Sequence, residues 1–379
     1  MNVIILGAGL VGGPMALDLM KDSDKKITSV DLSADLLAAL KKRSGGKVET
    51  IQADLADPAK VAPLVKDYDM VINAVPGFMG YRTLQAIIEA GKDVIDIAFF
   101  PEDPFKLDEL AKKHNVTAIM DCGVAPGMSN LLTGHVHRIL DKTENVLIYV
   151  GGLPKMRLWP YEYKAVFSPL DVIEEYTRPA RYVENNVVVT REALSDVELL
   201  NFPEVGTLEA FNSDGLRSLI DTIDGVNMKE KTMRYPGHVE KMLVMRETGF
   251  FSKEEIDVNG VKISPLDFTA KVLFPNWKME EGEEDVTVMR IVVEGLKDGK
   301  KRRYTYDLLD RFDTEEKIPS MSRTTGYTAT VALRMVADGV FTEKGVFPPE
   351  LVGKHEKAVE YMLDGLKKRN IIYNETIEE

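Results

Sequence analysis

Gly7-Ala8-Gly9-Leu10-Val11-Gly12 follows the apolar run Val3-Ile4-Ile5-Leu6, and the next strand-like run, Lys26-Ile27-Thr28-Ser29-Val30, ends on Asp31. Glycines at this spacing suit a pyrophosphate. Gly7 permits a tight turn, and Gly9 has no Cβ to block a phosphate. Gly12 lets the following helix, with Met15, Ala16, Leu19 and Met20 on its inner face, sit close to the sheet. Asp31 stands where a carboxylate accepts hydrogen bonds from the adenosine ribose, and its charge opposes a 2′-phosphate, so NAD is the expected cofactor. Asn73, Val75 and Pro76 after a fourth strand, and Val124 after a sixth, are expected to line the same nucleotide. Asp54 either faces the adenine or caps a helix before Pro58.

These residues need a parallel sheet to hold them. Residues 1–122 alternate strand and helix, with strands expected at 3–6, 26–30, 48–53, 69–74, 93–98 and 116–121, the rhythm of a doubly wound Rossmann sheet. The alternation breaks at Gly123-Val124-Ala125-Pro126-Gly127-Met128, which starts a helix running to about Leu140. Strands without regular intervening helices follow at 146–150, 182–190, 231–235 and 285–294, with 302–308 returning across the Lys297-Asp298-Gly299-Lys300 turn. Helices are expected at Ser168 to Tyr176 and Gly237 to Met245. Residues 123–320 therefore read as an α+β substrate and dimerisation domain. Residues 321–379 read as C-terminal helices that return to the Rossmann domain.

The chain has 379 residues, which predicts two cores, and 44% hydrophobic residues to fill them. No stretch approaches the roughly 18–20 apolar residues of a membrane span, and the chain enters a strand at once. A single cysteine, Cys122, leaves no internal disulfide framework, and a reducing cytoplasmic location is expected. The net charge of −13 argues against nucleic acid as a partner. No membrane partner and no metal are expected; His135 and His137 point to different helical faces. Strands outside the nucleotide fold leave sheet edge to cover, which predicts a homodimer through the second domain.

Several segments carry a family resemblance. They are the glycine loop, Asp121-Cys122-Gly123-Val124-Ala125-Pro126-Gly127-Met128-Ser129-Asn130, Tyr149-Val150-Gly151-Gly152-Leu153-Pro154, Arg234-Tyr235-Pro236-Gly237-His238-Val239-Glu240-Lys241 and Arg323-Thr324-Thr325-Gly326-Tyr327. Together, in this order, they resemble the saccharopine dehydrogenase/reductase superfamily over the whole length, and within it the NAD-dependent lysine 6-dehydrogenases. His238, where the reductases tend to carry an aromatic residue, and Asp31 both point to that branch. The resemblance implies an amino-acid substrate and oxidation of a C–N bond: ε-deamination of L-lysine to 2-aminoadipate 6-semialdehyde, which cyclises.

Such chemistry needs a proton acceptor for the ammonium, a group to hold the amine and a cation for the distal carboxylate. His238, at a helix start after the Tyr235-Pro236-Gly237 turn, is the candidate base, since its ordinary pKa lies near working pH. Its bland alternative is a surface or capping histidine. Asp121, at the carboxyl edge of the sheet, orients the cofactor, holds the ammonium, or is satisfied by the Gly123 turn; Asp96 has the same ambiguity. Arg323 is the candidate for the carboxylate, its rival role being a salt bridge between domains. Cys122 reads as a buried apolar cysteine. Glu162 and Tyr163 are expected in a loop flooring the pocket, with Trp159 as packing. A saccharopine-type reaction on a secondary amine would need further cations for an extra dicarboxylate, with Arg178, Arg181 and Lys155 as candidates. A non-catalytic NAD-binding sensor would keep the glycine loop alone.

Overall fold

Seven parallel strands form the first sheet, in the order Gly345–Phe347, Thr117–Ile119, Asp93–Asp96, Met70–Asn73, Asn2–Leu6, Lys26–Asp31 and Val48–Gln52. In the computed structural model, which describes residues 1–165, 169–280 and 282–379, six of these follow the doubly wound order expected for a dinucleotide fold. The seventh, Gly345–Phe347, pairs in parallel with Thr117–Ile119 from far along the chain. Val3, Ile4, Ile5 and Leu6 are fully buried, as a strand covered by helices on both faces requires.

The chain divides into two compact units, Met1–Arg138 with Ser322–Ile372, and Ile139–Met321 with Tyr373–Glu379. The first unit runs past residue 122 because helix Met128–Ile139 packs within it. A Cβ at Gly134 would lie 2.1 Å from the Glu350 carbonyl oxygen, and Asn130 Nδ2 donates to the Glu350 carboxylate at 3.2 Å. The returning helices Ser320–Ala337 and Glu356–Lys367 are fastened to helix Gly12–Leu19 by charge. Buried Asp18 accepts from Thr330 Oγ1 (2.6 Å), Arg334 Nη1 (2.7 Å) and Arg369 Nε (2.8 Å), while Arg334 also grips Asp22. Burial works to raise the Asp22 carboxyl, but the hydrogen bonds and charges of Arg334 and Lys25 outweigh it and hold it below its usual range.

The second unit is built on a nine-stranded mixed sheet. Its order is Glu198–Phe202, Gly206–Asn212, Gly225–Arg234, Lys142–Pro154, Asp285–Lys297, Lys300–Arg311 and Tyr373–Glu378, with Ala180–Glu184 and Val187–Arg191 branching from Gly225–Arg234. Only Gly225–Arg234 and Lys142–Pro154 run parallel. Lys297 pairs with Lys300 across a two-residue turn in which Asp298 and Gly299 have φ of 51° and 73°, the primed turn that matches strand twist. The expected strand 182–190 is two strands, turned at Asn185 and Asn186 with φ of 50° and 63°. The last seven residues leave the first unit because Arg303 to Leu308 offers them a sheet edge, with Glu378 opposite Arg303. A helix spans Pro169–Thr177; Ser168, its expected start, lies outside the described residues. Among the described residues no helix is long and apolar enough to cross a membrane.

Candidate active site

In the first unit the glycine loop is built by backbone shape. Gly7 has φ +117°, a conformation that side chains rarely adopt, and a Cβ there would meet the Ala74 carbonyl at 2.5 Å. A Cβ at Gly12 would lie 2.1 Å from the Gly7 carbonyl, so only glycine lets the helix start against its own turn. At Gly9 a Cβ would meet nothing within 4 Å, which leaves open space beside the loop, and Leu10 next to it is 58% exposed. These features fit a pyrophosphate laid on the loop. Asp31 is already at work: its carboxylate accepts from the backbone N–H of Ala8 and of Ser33, both at 2.8 Å. Each oxygen keeps acceptor capacity for a ribose hydroxyl.

Other expected nucleotide contacts change character. Asn73 is fully buried and donates from Nδ2 to Asp96 Oδ2 at 2.6 Å, while Asp96 Oδ1 accepts from Ala98 N at 2.6 Å. Asn73 and Asp96 thus pin two strand ends together, and their side chains face the interior. The Val75 and Val124 side chains are buried as well, and Pro76 starts helix Gly77–Glu89. Asp54 is exposed and accepts from Ala56 N in a local turn. The cap before Pro58 is Asp57, whose Oδ1 accepts from Ala59 N, because the strand stops at Gln52 and shifts the helix start by three residues.

Asp121 follows strand Thr117–Ile119, is buried, and has φ +51°. A non-glycine residue held in this region carries strain that clusters at functional sites. The next residue, Cys122, donates its N–H to the Asp96 carbonyl at 2.9 Å. Burial, then the charges of Asp121 and Asp96, push its thiol far above the usual range, so it supplies no thiolate. Arg323 is buried in the first unit, and its Nη2 donates to the Arg369 carbonyl at 2.8 Å. It ties helix Ser320–Ala337 to the segment after Glu356–Lys367.

The second unit assembles a cluster around His238. Helix His238–Thr248 begins there after Gly237, which has φ +88° and turns the chain. His238 Nδ1 lies 3.0 Å from the Tyr161 carbonyl, and Nε2 lies 2.9 Å from the Tyr176 hydroxyl. A carbonyl can only accept, so Nδ1 carries the proton, Nε2 is the acceptor, and Tyr176 donates to it. Arg234 Nε in turn donates to the Tyr176 oxygen at 3.4 Å, and Nη2 is bound to Glu175. The Arg234 guanidinium also lies 4.6 Å from the centre of the Tyr163 ring. Tyr163, Tyr176 and Trp277 pack edge-on around this chain of donors.

Burial, and then the Arg234 charge, pull the His238 pKa down to about 3. The shift favours the neutral ring, and both ring nitrogens are engaged within the protein, Nδ1 by the Tyr161 carbonyl and Nε2 by the Tyr176 hydroxyl. Nε2 is the acceptor that fixes the Tyr176 hydroxyl, whose own pKa burial raises to about 12. Tyr176, Arg234 and Glu175 were missed in the sequence. Arg234 stands in a motif already singled out, but Tyr176 and Glu175 arrive from helix Pro169–Thr177, which no local spacing links to residue 238.

Residues 3–119 match the family model described as the saccharopine dehydrogenase NADP binding domain, and residues 123–372 match the saccharopine dehydrogenase C-terminal domain. The chain belongs to the saccharopine dehydrogenase family. The match over 3–119 supports a pyridine nucleotide on the glycine loop of this family member. Among its relatives, carboxyaminopropylagmatine dehydrogenase of Synechocystis sp. is 25% identical over 374 residues, 92% of each chain. Saccharopine dehydrogenase [NADP(+), L-glutamate-forming] of Schizosaccharomyces pombe is 23% identical over 452 residues, 99% of each. The fold is that of apo saccharopine dehydrogenase (L-Glu forming) from Saccharomyces cerevisiae, with TM-score 0.82, 20% identity and full coverage of both chains.

Proposed function

We propose that this protein is an NAD-dependent oxidoreductase acting on the C–N bond of an amino acid, and that it removes the side-chain amine of L-lysine as ammonia. One observation favours so small a substrate. The three candidate cations for an added dicarboxylate are each paired with a carboxylate of this chain: Lys155 with Glu284 (2.7 Å), Arg181 with Asp214 (3.0 Å) and Arg178 with Glu174 (3.5 Å). The family relatives named for saccharopine favour the second reading, a secondary amine as substrate.

When bound, the nucleotide supplies the hydride acceptor. Gly7, Gly9 and Gly12 shape the loop for its pyrophosphate, and Asp31 holds the ribose. We assign the substrate ammonium to Asp121, which follows a strand at the carboxyl edge of the parallel sheet. Arg234, Tyr176 and His238 hold Tyr163 and the 161–163 backbone in place. Seven exposed apolar side chains between Val244 and Val272, Phe268 and Ile256 among them, support a homodimer through the second unit, and the lone buried Cys122 supports a cytoplasmic setting.

Absorbance of the reduced nicotinamide, followed with L-lysine, saccharopine and carboxylated polyamines in turn, tests the reading. Turnover of lysine is expected; turnover of saccharopine alone would move the protein to the second reading. Asp121→Asn should lower kcat/KM for lysine by about 10–100-fold with nucleotide binding retained. NAD should be used more efficiently than its phosphorylated form. Asp31→Ser should narrow that gap and cost NAD binding about 1.5–3 kcal/mol; an unchanged cofactor ratio would count against Asp31.

A further inference from the structure

Two aromatic rings stand almost wholly in solvent: Trp159 at 86% exposed, where the sequence suggested packing, and Phe78 at 83%. Of the two, Phe78 belongs to the unit that carries the glycine loop. It follows strand Met70–Asn73, as the second residue of helix Gly77–Glu89. That strand is the neighbour of Asn2–Leu6, and Leu6 pairs with Asn73 at their carboxyl ends. Just past that pair, Ala74 N donates to the Leu6 carbonyl at 2.9 Å, and a Cβ on Gly7 would lie 2.5 Å from the Ala74 carbonyl. The segment leading to Phe78 therefore touches the glycine loop itself.

The helix that bears Phe78 is set in place by its other side. A Cβ at Gly77 would lie 2.2 Å from the Phe99 carbonyl, and one at Gly80 would lie 2.6 Å from Ala98 Cβ. The Tyr81 ring packs edge-on against Phe100, with centroids 5.7 Å apart. Gly77, Gly80 and Tyr81 thus share the face pressed on residues 98–100, and Phe78, about 100° round from Gly77, is turned away from it. Helical side chains lean towards the helix N-terminus, and here that end stands at the carboxyl edge of the sheet. The ring leans over that edge.

Strand order gives the part of a nucleotide it would meet. Met70–Asn73, Asn2–Leu6 and Lys26–Asp31 lie side by side, and the chain winds outward in opposite directions from the first two. The crevice between them is the switch point at which such sheets bind ligands. With the adenosine ribose on Asp31 and the pyrophosphate on the glycine loop, as proposed above, the nicotinamide half runs on towards Met70–Asn73, where Phe78 stands. A pyridine ring offers flat faces, which suit an exposed phenyl ring.

We propose that Phe78 is the aromatic platform on which the nicotinamide ring lies, a cofactor-positioning residue of the first unit. The inference rests on the pyridine nucleotide of the proposed function and not on its amine substrate. With its ring in solvent, Phe78 can be replaced without opening the core.

Calorimetric titration of the full chain with NAD and with ADP-ribose, which is NAD without its nicotinamide, tests the platform. Phe78→Ala should weaken NAD about 10-fold and leave ADP-ribose within about 2-fold, and Phe78→Tyr should keep the wild-type affinity for both. Equal weakening of the two ligands, or of neither, would overturn the proposal. The amine reaction is followed separately, by absorbance of the reduced nicotinamide with L-lysine. A selective loss of NAD affinity in a protein that turns over no lysine would support the platform and remove the proposed reaction. Lysine turnover, with both affinities unchanged in Phe78→Ala, would overturn the platform and leave the reaction standing.

Discussion

The glycine loop of the first unit and the His238 cluster of the second solve positioning in opposite ways. The loop is shaped by backbone alone: two glycines where a Cβ would strike a carbonyl, one where it would meet nothing, and a carboxylate on two N–H groups. The cluster is made of side chains from two helices, a strand end and a loop, each oriented by the next. A backbone device tolerates little change at a few positions and ignores pH. A side-chain device depends on every member and inherits their titrations.

His238→Ala should break the second device outright. It opens a cavity in the aromatic cluster and leaves the Tyr176 hydroxyl and Tyr161 carbonyl without their partner, for a loss of about 4–5 kcal/mol in unfolding free energy. NAD binding to the first unit should be unchanged; if both fall together, the two devices are not independent. Glu230 offers a sharper contrast. Burial pushes its carboxyl up to about 8, the Ser213 hydroxyl at 2.8 Å opposing and the charges of Glu175 and Asp214 adding. Between the ordinary value of 4.5 and about 8 the native state keeps a proton that the unfolded state has released. Stability is therefore full below pH 4.5 and lost as pH rises through 8, by at most about 5 kcal/mol. Glu230→Gln should flatten that slope, raising Tm at pH 8 and leaving it nearly unchanged at pH 4; an unaltered slope would show that the acid is not buried as described. Gly12→Ala should have the smallest effect, about 2–3 kcal/mol on NAD binding from overpacking against the Gly7 carbonyl. It should be equal at pH 6 and pH 8 by calorimetric titration.

The same contrast explains what the sequence allowed. Residues 1–122 could be read strand by strand because buried parallel strands are apolar runs and the glycine loop is local. Gly345–Phe347 escaped because three residues before Pro348 carry no period. Strand Gly225–Arg234 was seen only from Lys231, because its buried face carries Glu230, Thr232 and Arg234, and a polar inner face defeats hydrophobic alternation. The charges of Asp18, Arg334 and Arg369 give no sign of their meeting, since 312 to 351 residues separate Asp18 from the partners that satisfy it.

That separation bears on how the protein is made. Asp18 leaves the ribosome more than 300 residues ahead of its cations, and the strands Gly345–Phe347 and Tyr373–Glu378 that take outer places in the two sheets also come from this late part of the chain. During synthesis neither sheet has its full set of strands, and a carboxylate destined for the interior must stay in water. Domains usually fold in order as they emerge. Here the first unit waits for Arg334, Arg369 and strand Gly345–Phe347, so a chain stopped short of Arg334 keeps Asp18 unpaired and leaves strand Thr117–Ile119 as an open sheet edge. An unfinished copy is thereby marked as unfinished, without any separate signal.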